Sequence, residues 1–200
     1  MLEHNSSAGI DEAGLGCLFG NAVACCVVLP LEFPDDTYKQ IKDSKKLSPK
    51  KRELLASYIK QHALTYGFGY TTHEEIDSIN ILQAKLKAMN RATIQAYEKY
   101  NFQHIIVDGN QYLPFCPSDD IIIPHVCIPG ADNSYLNVAA ASILAKTHRD
   151  QLIQELVDQN TELEIYGLRK NKGYGTKAHM DAIKQFGLTQ WHRKTFIHFL

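Results

Sequence analysis

Hydrophobic and polar residues alternate with two different periods along the chain, and these periods predict where its strands and helices lie. Short apolar segments at residues 8–12, 21–29 and 64–70 are typical of buried strands. Over residues 81–100 the apolar positions recur at steps of three and four, which predicts a long helix with one apolar face. A second long helix is predicted over residues 135–159.

Capping residues predict three more helices. The segment 48–61 begins with serine and proline, which are an N-cap and a favoured first helical residue. Thr72 and Glu75 form a capping-box pair, so a short helix is predicted directly before the long one. Residues 176–187 begin with a threonine that can cap a helix and end with a glycine that can terminate it.

Two further apolar segments, at 104–107 and 121–128, complete the predicted strands. Strands at the start of the chain, followed by helices that alternate with strands, indicate a mixed α/β fold with one sheet flanked by helices. No segment has the composition of an interdomain linker. Residues 1–200 are therefore predicted to form a single domain, without a separate C-terminal domain.

Composition narrows the class of protein. Of the 200 residues 44% are hydrophobic and 22% are charged, which is typical of a globular domain. The five cysteines are odd in number and include no Cys-x-x-Cys pair, which favours a reducing compartment and argues against a zinc site. No signal pattern begins the chain, and the apolar run at 22–31 is too short to span a bilayer. We expect a cytoplasmic monomer without membrane contact.

Basic residues are concentrated in two segments although the formal net charge is −1. Residues 42–52 hold six Lys or Arg and one acid, and residues 169–194 hold seven and one. Such stripes suit a polyanionic partner. Charge alone, however, favours the simpler interpretation of two solvated surfaces.

Four acidic residues lie next to runs of apolar or small residues: Asp11, Glu12, Asp108 and Asp132. Asp11 and Asp108 come at the ends of predicted strands, where ligands collect in α/β sheets. If the four converge, they cannot all stay ionised without cations. Two hard divalent ions such as Mg²⁺ could neutralise them, activate water and stabilise the leaving oxygen of a phosphodiester. The alternative is that each acid is an ordinary cap or turn residue.

Three loops carry candidate substrate-binding residues. The turn Gly14-Leu15-Gly16 lets the backbone approach a ligand closely, so that its N–H and C=O groups could contact a hydroxyl. Lys45 and Lys46 precede a helix start and suit a phosphate. Tyr174 lies between glycines, close to Lys172, and can stack on a sugar or base. The turn 14–16 could equally be a tight turn between strands, and the loop of Tyr174 could equally pack this tyrosine on the core. His179 is expected to donate to a phosphate or to lie at the surface.

Taken in order, these segments make the chain resemble ribonuclease HII from about residue 8 to residue 196. Each matching segment is weak alone, and their shared order makes the resemblance specific. The segments are Gly-Ile-Asp-Glu-Ala-Gly at 9–14, Asp-Ser-Lys-Lys-Leu-Ser at 43–48, Ile-Asn-Ile-Leu-Gln-Ala at 79–84 with Ala88-Met89, Val-Asp-Gly-Asn at 107–110, Ala-Ala-Ser-Ile-Leu-Ala-Lys at 140–146, Arg149-Asp150, Lys-Gly-Tyr-Gly-Thr at 172–176, His179, and His-Arg-Lys-Thr-Phe at 192–196.

The resemblance implies an RNase H-like fold and an endonuclease that uses two Mg²⁺ or Mn²⁺ ions. Its substrates would be RNA–DNA hybrids and duplex DNA with embedded ribonucleotides, cut on the 5′ side of the ribonucleotide to leave 5′-phosphate and 3′-hydroxyl ends. The family's four catalytic and metal-binding acids carry over to Asp11, Glu12, Asp108 and Asp132. Substrate binding carries over to the following residues: Gly14, Leu15, Gly16, Lys45, Lys46, Ser142, Lys146, Lys172 and Tyr174, the last as the ribose-sensing tyrosine.

The chain departs from the family pattern at three positions. Leu15 stands where arginine is usual, Cys17 where proline is usual, and Ala131 where glycine is common before the fourth acid. The loss of arginine puts affinity and junction preference in question. Alternatives are ribonuclease HIII, which usually carries an added N-terminal domain, and a non-catalytic hybrid-binding protein. A nucleotide-binding module is disfavoured because the chain lacks its glycine-rich motifs.

Overall fold

The computed structural model describes residues 2–199. Its strands are β1 (Ala8–Ala13), β2 (Ala22–Val28), β3 (Thr65–Thr71), β4 (Ile105–Asp108), β5 (Phe115–Ser118), β6 (Ile121–Ile123) and β7 (His125–Ile128). The first strand lies at the centre of a five-stranded sheet with the order β3-β2-β1-β4-β7. It pairs antiparallel with β2 and parallel with β4, while β3 pairs antiparallel with β2 and β7 pairs parallel with β4. Two short strands, β5 and β6, form a separate hairpin.

Helices cover both faces of the sheet. The α-helices are α1 (Pro49–His62), α2 (His73–Tyr97), α3 (Leu136–Gln159), α4 (Leu168–Asn171) and α5 (Lys177–Phe186), and short 3₁₀ segments occur at Asp36–Gln40, Ser44–Lys46, Ala131–Asn133, Thr161–Tyr166 and Lys194–Phe196. Alternate residues of β2 face opposite layers: Cys26 packs in the cluster that includes α2, and Cys25 in the one that includes α1 and α3. Because both faces are covered, every residue of β2 is buried.

Close contact with α2 explains the glycines in β3. A β-carbon at Gly69 would overlap the Ala88 carbonyl oxygen, and one at Gly67 would overlap the Ala92 carbonyl oxygen. Glycine therefore lets the helix lie directly on the strand.

The predicted short and long helices form one element, α2, with a kink at Asn80. The capping box of Thr72 and Glu75 is present at its start. Asn80 has a φ of 65°, and its side chain accepts hydrogen bonds from the backbone N–H groups of Leu82 and Gln83 at 3.0 and 3.1 Å. The second helical segment therefore has a cap of its own inside the merged helix, which ends at Tyr97 and not at Tyr100.

The prediction of one strand over residues 121–128 is wrong. Pro124 interrupts it: residues before the proline pair with β5, and residues after it pair with β4. Proline has no N–H to donate, so the segment changes partner there. The strand β5 was missed as well, because its four residues include a proline and show little periodicity.

The mixed α/β fold with one main sheet between helices is confirmed as a single domain. Met1 and Leu200 lie outside the described residues. Within residues 2–199, no helix is long and apolar enough to cross a membrane.

Candidate active site

The register of the central strands brings two predicted acids to the same level of the sheet. Ile10 of β1 pairs with Val107 of β4 in parallel, so Asp11 and Asp108 follow side by side. Asp108 ends its strand, and its Oδ1 accepts a hydrogen bond of 2.8 Å from the backbone N–H of Ala131. This bond holds the 3₁₀ segment that carries Asp132 against the end of β4. The sheet edge thus gathers acids from separate parts of the chain.

Asp108 is the common neighbour of the other three acids, since its charge raises the pKa of Asp11, of Glu12 and of Asp132. In each case burial is the larger cause, because it disfavours the charged carboxylate. For Asp11 the pKa lies well above its usual range. The four predicted acids are therefore brought together, and they repel one another.

Two neighbours of Asp11 favour its charged form. Its Oδ1 accepts from the backbone N–H of Glu12 at 2.7 Å, and the side chain of Ser142 also lowers the pKa of the carboxyl. The Ser142 hydroxyl lies 2.9 Å from that of Ser44, in a buried contact between α3 and the 3₁₀ segment Ser44–Lys46. Ser142, predicted to bind substrate, thus lies between the 3₁₀ segment and the central carboxylate, whose pKa it lowers.

Lys85 of α2 is a site residue that the sequence analysis missed. Its Nζ lies 3.3 Å from Oε1 of Glu12 and opposes the rise in the Glu12 pKa. The other oxygen, Oε2, is buried and has no hydrogen-bond partner within residues 2–199. A signal was available: Lys85 falls three residues after Leu82 and four before Met89, within the apolar stripe of the helix.

Asp43 is a fifth acid beside the cluster. It caps the 3₁₀ segment Ser44–Lys46 by accepting from the Lys45 backbone N–H at 2.9 Å, and its charge contributes to the raised pKa of Asp132. The charge of Lys45 opposes that rise. Lys46 donates to the side chain of Asn133. Both predicted lysines therefore lie beside the acids.

The two predicted glycine loops lie against each other. Leu18 donates its backbone N–H to the carbonyl of Gly173 at 2.8 Å, and Cys17 and Tyr174 form an antiparallel bridge. Residues 14–16 therefore lie next to residues 172–174. The predicted site residues Lys172 and Tyr174 are thus brought close to Gly14, Leu15 and Gly16.

Two buried arginines hold these loops, and neither was predicted as a site residue. Arg149 donates to the carbonyls of Phe19, Asn21 and Lys172 at 3.1, 3.1 and 2.8 Å. Arg193 donates to the carbonyls of Gly14, Leu15 and Gly20 at 2.8, 2.9 and 2.9 Å. Burial lowers the pKa of Arg193 to about 10. Both arginines act as structural clamps, because all of the hydrogen bonds given above go to backbone carbonyls.

The two glycines of the loop 14–16 differ in backbone conformation and in the space around them. Gly14 has a φ of 88°, and a β-carbon there would overlap Nε of Arg149. Gly16 is exposed, and no heavy atom lies within 4 Å of the position that its β-carbon would take. Gly14 is therefore needed by the fold, whereas Gly16 leaves open space beside the backbone.

The side chain of Leu15 packs in an apolar cluster with Ala22, Ile76, Ala84 and Phe196. It is half-buried. The prediction that Leu15 binds substrate therefore rests on its backbone N–H and C=O groups. Its side chain carries no charge with which to bind a phosphate.

Tyr174 keeps 40% of its surface exposed. Lys146 Nζ lies 5.3 Å from the centre of its ring, and burial raises the pKa of its hydroxyl. Its carbonyl accepts from Nδ1 of His179 at 2.9 Å. The expectation for His179 is wrong, because this histidine is fully buried and contacts His192.

The chemistry of the acids fits a hard divalent cation. The donors are carboxylate oxygens, one of them buried without a partner, and their charges repel. The side chains do not yet form a closed ligand set: across residues 2–199, no three His, Cys, Asp or Glu are arranged to hold a metal ion as they stand. Lys85, Ala131 and Asn133 contact carboxylate oxygens instead.

Comparison with solved structures defines the class of protein. The fold matches ribonuclease H2 from Pyrococcus horikoshii OT3 with a TM-score of 0.69 and 28% identity, covering 94% of this chain and 92% of that one. It also matches Bst-RNase HIII, solved in complex with Mn²⁺, with a TM-score of 0.68, over 92% of this chain and 64% of that one. At 22% identity the second likeness concerns the fold alone. The protein is an endoribonuclease of the ribonuclease H type.

Sequence comparison defines the family. The family model for ribonuclease HII matches residues 8–199. Ribonuclease HII from Christiangramia forsetii is 47% identical over 189 residues, which cover 94% of this chain and 89% of that protein. The chain belongs to the ribonuclease HII family, and the resemblance found in the sequence is confirmed.

Proposed function

We propose that this chain cuts duplex DNA on the 5′ side of an embedded ribonucleotide and hydrolyses the RNA strand of RNA–DNA hybrids. The products would carry 5′-phosphate and 3′-hydroxyl ends. One observation supports this most: the acids around β1 lie beside the paired loops 14–16 and 172–174. A non-catalytic hybrid-binding protein would gain nothing from carboxylates that repel each other and the substrate.

Asp11, Glu12, Asp108 and Asp132 would hold two divalent cations, Mg²⁺ or Mn²⁺. When bound, such ions neutralise the carboxylates, lower the pKa of water and stabilise charge on the leaving oxygen. The backbone N–H of Glu12 keeps Asp11 oriented, and both this N–H and the Ser142 side chain favour the ionised form. Lys85 does the same for Glu12, and the Ala131 N–H fixes Asp108.

The loops beside the acids would recognise the ribonucleotide. Gly16 offers its backbone in open space to the 2′-hydroxyl, and Tyr174 offers a ring for stacking on the sugar. Phosphates would be bound by the four predicted lysines, Lys45, Lys46, Lys146 and Lys172. Arg149 and Arg193 hold the backbone of both loops in place before substrate arrives.

The test is cleavage of three labelled duplexes of one sequence: an RNA–DNA hybrid, DNA with one ribonucleotide, and all-DNA. We expect cleavage of the first two with Mg²⁺ or Mn²⁺ and of none with a chelator. Cutting of the all-DNA duplex, or full activity in the chelator, would refute the proposal.

A further inference from the structure

We propose that Asp150 is a positioning residue that links the loop of Tyr174 to the central carboxylate Asp11. The inference rests on the proposed function. Asp150 belongs to α3 and lines a groove of about 410 Å³ together with Arg52, Lys146 and Tyr174. A carboxylate in this groove opposes the binding of a polyanion. The other acid of the groove, Glu53, is exposed, whereas Asp150 is largely buried and pairs with two cations, so its place there calls for another role.

One oxygen of Asp150 fixes the lysine above the tyrosine ring. Its Oδ1 accepts from Lys146 Nζ at 2.6 Å, one helical turn away. The same Nζ lies 5.3 Å from the ring centre of Tyr174. The Lys146 and Asp150 side chains are only 20% and 17% exposed. Asp150 thus holds the ammonium where substrate would meet both groups.

The other oxygen reaches toward the acids. Oδ2 of Asp150 lies 3.5 Å from Nη2 of Arg52, whose side chain is 11% exposed. Nη1 of Arg52 donates to the carbonyl of Ser44 at 3.1 Å. The Ser44 hydroxyl contacts the Ser142 hydroxyl at 2.9 Å, and Ser142 is the neighbour of Asp11 whose side chain lowers the pKa of that carboxyl.

A continuous set of contacts therefore joins Tyr174 to Ser142, the neighbour of Asp11, through Lys146, Asp150, Arg52 and Ser44. Exposed ion pairs contribute little, whereas loss of one partner from a buried pair leaves the other uncompensated. Removing the Asp150 charge would free Lys146 and Arg52 and loosen Ser44. It would also make the groove more positive. The geometry therefore points to an effect on kcat rather than on KM.

The experiment compares Asp150→Asn with Asp158→Asn in the full chain. Asp158 is a matched control, since it lies on α3, pairs with an arginine and is 55% exposed. On DNA with one ribonucleotide we expect kcat of Asp150→Asn to fall about tenfold, which is about 1.4 kcal/mol in the barrier. KM should stay within about twofold, and Asp158→Asn should match the wild type. Asp150→Glu should recover part of kcat.

A cycle with Ser44→Ala tests the link itself, because residues in one network are not additive. The double variant should lose less than the product of the single losses. Amide exchange gives a readout without catalysis: the N–H groups of Lys46 and Leu47, which bond Asp43 and Ser44 carbonyls, should exchange faster in Asp150→Asn.

Unchanged kcat and unchanged exchange in a folded Asp150→Asn variant would overturn the inference, as would a rise in KM with kcat unaffected. If the kcat losses of the two single variants were additive in the double variant, Asp150 and Ser44 would not be coupled. A wild type that cuts neither ribonucleotide substrate would refute the proposed function, while the exchange experiment would still decide the role of Asp150.

Discussion

At the scale of single residues, the buried carboxyl of Asp11 on β1 costs the fold stability at neutral pH. Burial and neighbouring acids raise the folded-state pKa of Asp11 above its usual value of 3.8. This cost in the free energy of unfolding is absent at low pH, where the carboxyl is protonated in both the folded and the unfolded protein. It develops as the pH rises through the range between the unfolded and folded pKa values. Stability is therefore sacrificed for a cluster that a cation can bind.

Asp11→Asn should accordingly stabilise the protein in buffer without divalent ions. The amide keeps an oxygen for Ser142 and the Glu12 N–H, and it removes the repulsion from Glu12 and Asp108. We expect a rise in melting temperature of about 2–4 °C for each kcal/mol gained. Mg²⁺ should raise the melting temperature of the wild type more than that of the variant. The control Asp119→Asn, at an exposed position, should change neither the melting temperature nor its increase in Mg²⁺. A less stable Asp11→Asn protein would contradict this explanation.

Tyr174 should contribute to substrate binding through its ring. Tyr174→Ala is expected to lose about 1–3 kcal/mol of interaction with DNA that contains a ribonucleotide, as stacked aromatics do. Tyr174→Phe should lose less, since it retains the ring below Lys146. Affinity can be measured with the inactive Asp108→Asn background. An alanine variant with wild-type affinity and melting temperature would place Tyr174 outside the site.

Which site residues can be predicted depends on the range of the contacts that define them. Asp11 and Asp108 follow apolar strand segments, so local pattern predicts their place at the sheet edge. Arg149 and Arg193 bond carbonyls more than 100 residues away in most of their contacts. No local pattern encodes such contacts, and these residues were recognised only as parts of family motifs.

At the scale of elements, the loop 14–16 combines a strained position with an open one. Gly14→Ala should destabilise the protein by about 1–3 kcal/mol, because φ at this residue is 88° and the new β-carbon would overlap Arg149. Gly16→Ala should melt like the wild type, since nothing surrounds it. It should nevertheless bind ribonucleotide-containing DNA more weakly if its backbone approaches the 2′-hydroxyl. Equal behaviour of the two variants in both measurements would refute this division of roles.

Elements with a clear period were predicted well, and those defined by their partners were not. The helices α1, α3 and α5 lie within one or two residues of their predicted bounds. The segment 121–128 was misjudged because a continuous apolar run does not reveal that Pro124 separates two pairing partners. Asn80 likewise joins two predicted helices into one kinked element.

At the scale of the whole molecule, a buried histidine pair should make stability sensitive to acid. The Thr189 N–H donates to Nδ1 of His192 at 2.9 Å, which assigns the proton of that ring to Nε2. Nε2 then donates to His179 at 3.2 Å, and Nδ1 of His179 donates to the carbonyl of Tyr174. A second proton would have to bind Nδ1 of His192, which faces the Thr189 N–H, or Nε2 of His179, which faces the N–H of His192. Both rings are therefore neutral in the fold.

Burial lowers the pKa of both histidines, that of His192 to about 4. Their contribution to stability is present above the unfolded value of 6.5 and is lost as the pH falls from there toward about 4. Between pH 7 and pH 5 the melting temperature of His192→Asn should fall less steeply than that of the wild type. The exposed control His104→Gln should keep the wild-type slope, and an unchanged slope in His192→Asn would contradict the assignment.

We expect the acids at the end of the central strands to cut the backbone next to a recognised ribonucleotide. Mapping both product ends at nucleotide resolution, on a duplex with one ribonucleotide, is the decisive measurement. It should show one cut on the 5′ side, leaving 3′-hydroxyl and 5′-phosphate, and no product from Asp108→Asn although that variant still binds the duplex. Cutting on the 3′ side, or near wild-type turnover by Asp108→Asn in saturating Mg²⁺, would contradict this expectation.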